Sequence, residues 1–348
     1  MSTVASKRKT LQDLLFPRGI PQLWCPSLTH FDAGHRIDLR RMQAHLEWMM
    51  PHVKGYLVPG STGDGWDLDD AETETVVRFA VDAARKKGVS LLLGALRKKT
   101  ADVTNSIGRF LDILRKLTGK PDSLAALIAS GVSGFTVCPP AGEDLDQETI
   151  GAALAIILDL GLPTALYQLP QVTGNETAPE TFAKLVAKYP NLILFKDSSG
   201  ADRIAQSGVN AGGVFLVRGA EGDYARWLRT AGGTYDGFLL STANSFPAGL
   251  LAVVDGIQKG RPDEAAKLSA AISGAVAEVF ARVGEIPCGN AFTNANKAIE
   301  HFMAFGPAAL DREGPMLHGC IRIPAGIITA TGDILRRYGL MPEKGYLA

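Results

Sequence analysis

Eight short apolar runs recur along the chain, each followed by a longer amphipathic stretch, and this alternation limits the fold more than any single residue does. The runs lie at 22–27, 55–59, 90–93, 134–138, 163–169, 192–196, 214–218 and 237–241. Helical patterns follow them at 38–50, 69–87, 100–117, 123–130, 147–160, 179–188, 201–208 and 222–231, several opened by Asp or Pro and closed by Gly. Strand then helix, repeated, calls for a parallel sheet, and eight such units close as a (β/α)8 barrel. An open doubly wound sheet is the competing arrangement. It fits less well, because the units are of similar length and none carries a GxGxxG turn with an acidic ribose anchor downstream.

The 348 residues, 46% hydrophobic, hold one barrel of roughly 250 residues plus appendages. The expected division is a tail at 1–17, the barrel at 18–258 and a C-terminal helical region at 259–348. Helical patterns at 248–259, 263–284, 290–305 and 323–338 make the last part a lid, cap or oligomer contact. The first ten residues read as a frayed tail. The long third connection, Gly94 to Gly134, reads as an exterior insertion broken at Lys116–Pro121.

Charge and cysteine usage narrow the partners. Lys plus Arg equals Asp plus Glu at 36 each, so nothing points to nucleic acid or an anionic membrane, and a small ligand fits better. Cys25, Cys138, Cys288 and Cys320 are far apart and form no CxxC pair, which argues against a zinc site or a secreted disulfide framework and for a reduced, cytoplasmic protein. No run approaches the roughly 18 uninterrupted apolar residues of a membrane span, and no signal-peptide core follows Met1. Six histidines, none between 53 and 300, make a metalloenzyme or a Ser-His-Asp hydrolase improbable; His30 alone is near a strand end. The run Arg97-Lys98-Lys99 reads as exposed.

In a barrel, chemistry gathers at the C-terminal ends of the strands. The sixth run, Leu192-Ile193-Leu194-Phe195-Lys196, ends on an amine that shares a face with Leu194 and Leu192, where its charged form is poorly solvated. Such a lysine attacks carbonyls; a strand-end lysine can also snorkel its ammonium to solvent. The fifth run ends Tyr167-Gln168-Leu169-Pro170, and neighbouring strands are about 4.8 Å apart, so Tyr167 and Lys196 project into the same end of the barrel. The second run ends in the turn-forming Gly60-Ser61-Thr62-Gly63-Asp64-Gly65.

Gly60-Ser61-Thr62-Gly63-Asp64, Leu166-Tyr167-Gln168-Leu169-Pro170 with Thr173-Gly174, Phe195-Lys196-Asp197-Ser198-Ser199-Gly200 and the Gly237–Asn244 segment together resemble, in order and spacing, the dihydrodipicolinate synthase and N-acetylneuraminate lyase family. The resemblance covers roughly residues 18 to 305. It implies a (β/α)8 barrel with a C-terminal helical region, a homo-oligomer (dimer or tetramer), and no metal or organic cofactor. By it, Lys196 forms a Schiff base with pyruvate or another 2-oxo acid and Tyr167 shuttles protons. Ser61 and Thr62 hold the carboxylate, and Gly219 and Leu239 line the pocket through backbone groups.

Two departures bear on the substrate. The synthases place an arginine for a second carboxylate two residues after the strand-five proline, where this chain has Val172, and an isopropyl group cannot replace a bidentate guanidinium. The tyrosine pair that the synthases carry after strand four is absent from Val137–Gly142. These losses point to a pyruvate-dependent aldolase or a 2-keto-3-deoxy-sugar-acid aldolase or dehydratase. Dihydrodipicolinate synthesis is the alternative, and a non-catalytic 2-oxo acid binder a second. Gln168, Gln171, Thr173, Trp66 and Ser241 are candidates for the distal end of the substrate.

Overall fold

The computed structural model describes residues 3–319 and 321–348. Eight parallel strands close into a barrel in sequence order: β1 (Leu23–Pro26), β2 (Gly55–Val58), β3 (Ser90–Gly94), β4 (Val132–Val137), β5 (Thr164–Gln168), β6 (Leu192–Asp197), β7 (Phe215–Arg218) and β8 (Gly237–Leu239). Closure is made where Leu23 and Trp24 of β1 pair with Phe238 and Leu239 of β8. Every expected strand is present, with its ends within one or two residues of the expected bounds.

The helices are α1 (Thr3–Leu15), α2 (Leu39–Met49), α3 (Asp70–Lys87), α4 (Thr100–Thr118), α5 (Ser123–Ser130), α6 (Gln147–Leu158), α7 (Pro170–Thr173), α8 (Pro179–Lys188), α9 (Arg203–Gln206), α10 (Pro247–Gln258), α11 (Pro262–Val283), α12 (Ala291–Phe305) and α13 (Ala325–Arg337). Local signals explain their limits. Asp69 and Glu72 form a reciprocal capping box at the start of α3, and Gly88, in the left-handed region at φ +66°, ends it. The third connection is no exterior insertion. Its two helices join the outer ring, α4 against α3 and α6, and α5 against α3 and β4.

The expected helix at 222–231 does not form. Gly222 and Asp223 have φ of +90° and +52°, which breaks helical continuity, and the segment resolves into turns with a single 3-10 turn at Arg229–Ala231. Tyr224 and Leu228 are buried, and Trp227 lies between the guanidinium groups of Arg218 and Arg226, at 4.0 and 4.5 Å. The expected helix at 201–208 shrinks to the single turn of α9, bounded by Asp202 and Gly208 at positive φ.

Alternation along the strands separates two cores. Trp24, Leu57, Leu92, Ala165, Leu194, Val217 and Leu239 fill the barrel, and the larger outer core joins strands to helices. Trp24 fits because its register partner is Gly55, where a Cβ would stand 2.2 Å from the indole.

Residues 3–10, expected to fray, instead form most of α1, and Met1 and Ser2 lie outside the described residues. Leu15 of α1, with Phe16 just beyond it, plugs the N-terminal end of the barrel. Arg8 is fully buried and donates to the carbonyls of Leu192 (2.7 Å), Val186 (2.7 Å), Tyr189 (2.8 Å) and Gly212. Gln12 donates to Ile193 and Gly213, both at 2.9 Å. Carbonyls at the root of β6 and before β7 are thereby tied to α1.

Cys25 and Cys138 are buried free thiols, whereas Cys288 is disulfide-bonded, a departure from the fully reduced chain expected. Cys320 lies outside the described residues. No helix of the described residues is long and apolar enough to cross a membrane.

Arg8→Ala removes a donor from four carbonyls at once, of which that of Tyr189 keeps a second one, the Leu192 N–H. It should lower the unfolding free energy by about 3 kcal/mol, read from the urea midpoint at constant slope. An unchanged midpoint would show that α1 is not anchored through this residue.

Candidate active site

The sixth strand delivers its lysine through an irregularity. Thr164 of β5 pairs with Leu192 and Ala165 with Leu194, leaving Ile193 as an extra residue. Leu192 therefore belongs to the outer core while Ile193 and Leu194 face the barrel axis, so the expected common face holds for Leu194 and Lys196 only. Lys196 is 3% exposed, pairs in register with Tyr167, and sets its Nζ 3.9 Å from the centre of the Tyr167 ring. Burial lowers the pKa of the amine to about 7, against the partial counter-pull of Cys138, Glu221 and Cys25. Gly219 makes room for it. A Cβ there would lie 2.2 Å from Ser198 Oγ and 2.6 Å from Lys196 Cε.

Burial pushes the Tyr167 phenol above its ordinary pKa, so it is held protonated, with the neighbouring Ser61 and Ser198 hydroxyls pulling the other way. Ser61–Gly63 forms a tight 3-10 turn after β2, closed by Asp64 in the left-handed region at φ +60°. Gly63 is needed because a Cβ would approach the Ser27 carbonyl to 2.3 Å.

The underside of this turn rests on α12. Thr293 Oγ1 donates to the carbonyls of Thr62 (3.0 Å) and Ser61 (3.3 Å), and Asn290, the N-cap of α12, donates to Ser61 at 3.2 Å. One turn further on, the fully buried Lys297 pairs with Asp64 at 3.3 Å. The C-terminal region thus buttresses the site. Apolar periodicity places Lys297 within a helix but does not show that it meets a carboxylate 233 residues away.

The remaining candidates divide by where their side chains point. Val172 and Trp66 pack with Leu96, Cys138, Tyr167 and Leu169 in an apolar wall beside the phenol. The Leu239 side chain belongs to the barrel interior below. Gln168, one residue past Tyr167, is turned away from the site. Its amide joins Glu176 (3.1 Å) and the Thr177 N–H (3.0 Å), where it pins the loop after α7. Thr173 is likewise occupied, by the carbonyls of Leu169 and Asn175. Arg97 is half-buried rather than solvated, with Nη1 on the carbonyls of Leu96 (2.8 Å) and Gly65 (3.3 Å).

Glu221 was not anticipated. It follows β7 and accepts from Ser241 Oγ (2.5 Å), Tyr224 Oη (2.9 Å) and the Thr242 N–H (3.1 Å). Its sequence signal is only that of an acid just after a strand. It lines, with Gln171, Ser198, Ser273, Phe280 and Phe292, a cavity of about 460 Å³ between the barrel mouth and α11. A larger cleft, about 640 Å³, lies at the opposite end beside α1, where it includes none of these groups.

His30 does not reach the site. It is buried with its Nε2 3.0 Å from His45 Nδ1. These two rings and Glu300 bring donor atoms within 4.8 Å of one another, but a single Arg41 nitrogen already spans both Glu300 oxygens, at 2.9 and 2.8 Å. The guanidinium supplies the positive charge that a metal would bring.

Comparison with known proteins agrees with this geometry. The family model for the dihydrodipicolinate synthetase family matches residues 124–294. The chain is 29% identical over 248 residues to the 4-hydroxy-tetrahydrodipicolinate synthase of Xanthomonas axonopodis pv. citri, covering 70% of this chain and 75% of that one. It is 26% identical over 235 residues to the synthase of the same name from Agrobacterium fabrum, covering 67% and 72%. Over 175 residues, half of each chain, it is 29% identical to a Pseudarthrobacter chlorophenolicus protein described as "Probable 5-dehydro-4-deoxyglucarate dehydratase". Among solved structures, the barrel superposes on YagE of E. coli K12, a complex with pyruvate, with a TM-score of 0.72 at 17% identity, covering 92% and 99% of the two chains.

Lys297→Met leaves the Asp64 carboxylate buried without its partner. The unfolding free energy should fall by about 3–5 kcal/mol, and adding Asp64→Asn should recover part of it. Equal stability of single and double variants would remove the buttress.

Proposed function

We propose that the chain, whose residues 124–294 match the dihydrodipicolinate synthetase family, is a lyase of the class I aldolase type that works through a Schiff base between Lys196 and a 2-oxo acid such as pyruvate. The observation that carries the reading is the buried amine of Lys196 beside Tyr167 at the C-terminal mouth of the barrel. Neutral lysine adds to the keto carbon, water leaves, and the protonated imine becomes an electron sink for the neighbouring bond. Tyr167 stands where it can move a proton to or from substrate oxygen, and Ser61 and Thr62 offer hydroxyls to the carboxylate. Gly219 keeps the lysine's path open. The imine supplies the sink itself, so the proposal includes no metal or organic cofactor. A homo-oligomeric assembly, implied by the resemblance, belongs to the same reading.

For the second half of the substrate, the reading is a neutral or hydroxylated group, as in 2-keto-3-deoxy-sugar acids. Val172, Leu96, Leu169 and Trp66 make an apolar wall, which is poor company for a second carboxylate. Polar contacts are available on the other side, at Gln171 and Glu221. The names of the synthases support the alternative, dihydrodipicolinate synthesis; the valine at 172 speaks against it.

Borohydride added with pyruvate should leave a reduced three-carbon adduct on the peptide carrying Lys196, detected by mass spectrometry; folded protein without adduct would sink the Schiff-base proposal. Its initial rate should fall about tenfold per pH unit below about 7 and level off above, since the reactive species is the neutral amine. A rise continuing to about pH 10 would mean an unperturbed lysine. In a substrate panel, 2-keto-3-deoxy-sugar acids should turn over at least about tenfold faster than pyruvate with aspartate semialdehyde. The reverse order would restore the synthase alternative.

A further inference from the structure

Trp66 is more than a wall. Its indole Nε1 lies 2.8 Å from Ser61 Oγ, and Ser61 and Ser198 are the hydroxyls beside the Tyr167 phenol. The ring packs among Leu96, Cys138, Tyr167, Leu169 and Val172, so its N–H is aimed by buried contacts rather than by a mobile chain. The turn beneath is fixed as well. Gly65 N–H is bonded to the Gly60 carbonyl at 2.9 Å, and the Gly65 carbonyl accepts from Arg97 at 3.3 Å.

An indole N–H donates and never accepts, whereas a serine hydroxyl has one proton and two lone pairs. With one lone pair of Ser61 held by Trp66, one proton and one lone pair remain to serve Tyr167 and the ligand. A carboxylate can only accept. Once it docks, the Ser61 proton must turn to it, and the Tyr167 phenol must donate into the lone pair that is left. We propose that Trp66 is a positioning residue: through its N–H on Ser61 it turns the Ser61 hydroxyl into a committed donor for the 2-oxo acid carboxylate and sets the direction of the hydrogen bond from Tyr167. This deepens the Schiff-base reading and rests on it. Without the indole N–H, the Ser61 hydroxyl is free to rotate, and aiming its proton at the carboxylate costs that freedom.

The test uses pyruvate and borohydride, with the pyruvate concentration for half-maximal trapping as the readout. Trp66→Phe keeps a ring in the wall and removes the N–H. It should raise that concentration about tenfold, the loss of one hydrogen bond to a charged group, and leave trapping at saturating pyruvate complete. A packing role alone would act whether or not Ser61 is present. In the Ser61→Ala background, therefore, Trp66→Phe should add less than about twofold, the non-additivity of groups acting through one hydroxyl. Wild-type affinity in Trp66→Phe, or effects that multiply in the double variant, would overturn the inference while leaving the lysine chemistry intact. No adduct in the unsubstituted protein would instead remove the Schiff-base reading and this inference with it.

Discussion

The removal of the Lys196 ammonium from water governs this molecule. A barrel filled by Trp24, Leu57, Leu92, Leu194 and Val217 puts a hydrocarbon floor under the amine, and Tyr167 covers it with the face of a ring. The charged form loses hydration and gains only the ring quadrupole and distant negative groups, so the neutral form gains ground near physiological pH. Gly219 and Asp197 serve that burial. Gly219 gives up a side chain for the alkyl stem, and Asp197, adjacent to the lysine, points outward. There it accepts from the Ser199 N–H at 2.9 Å and leaves the amine without a close carboxylate.

Much of this was legible from the chain because period and register are local. Alternation located all eight strands, and adjacency of the fifth and sixth placed Tyr167 against Lys196, the pairing the ladder makes. The rest depended on contacts that composition does not report. The extra residue in β6 moves Leu192 to the other face without any Gly or Pro to announce it. The 222–231 segment has helical spacing, yet Asp223 adopts a left-handed conformation and Tyr224 and Leu228 are claimed by the core. Gln168 looked like a site residue because it follows Tyr167, but the parity of the strand turns it to the opposite side, toward Glu176.

The C-terminal helices show why an appendage can be inseparable from the chemistry. Thr293, Asn290 and Lys297 take up polar groups on the underside of the Ser61–Asp64 turn, and Phe280 and Phe292 wall the cavity above Ser198. A binding turn on a loop is only as well placed as its support. Here that support comes from a helix more than 200 residues downstream, as the separation of 233 between Asp64 and Lys297 shows.

The N-terminal plug has a consequence for the order of assembly. Arg8 and its carbonyl acceptors are 178 to 204 residues apart, so the first helix leaves the ribosome long before any partner exists. Until Gly212 has been made, the guanidinium stays in water and the apolar side of α1 has nothing to cover. At about 5–20 residues per second the wait is on the order of ten seconds or more. The first helix therefore docks well after it is made, and it seals the barrel only after the strand bearing Lys196 has been laid down.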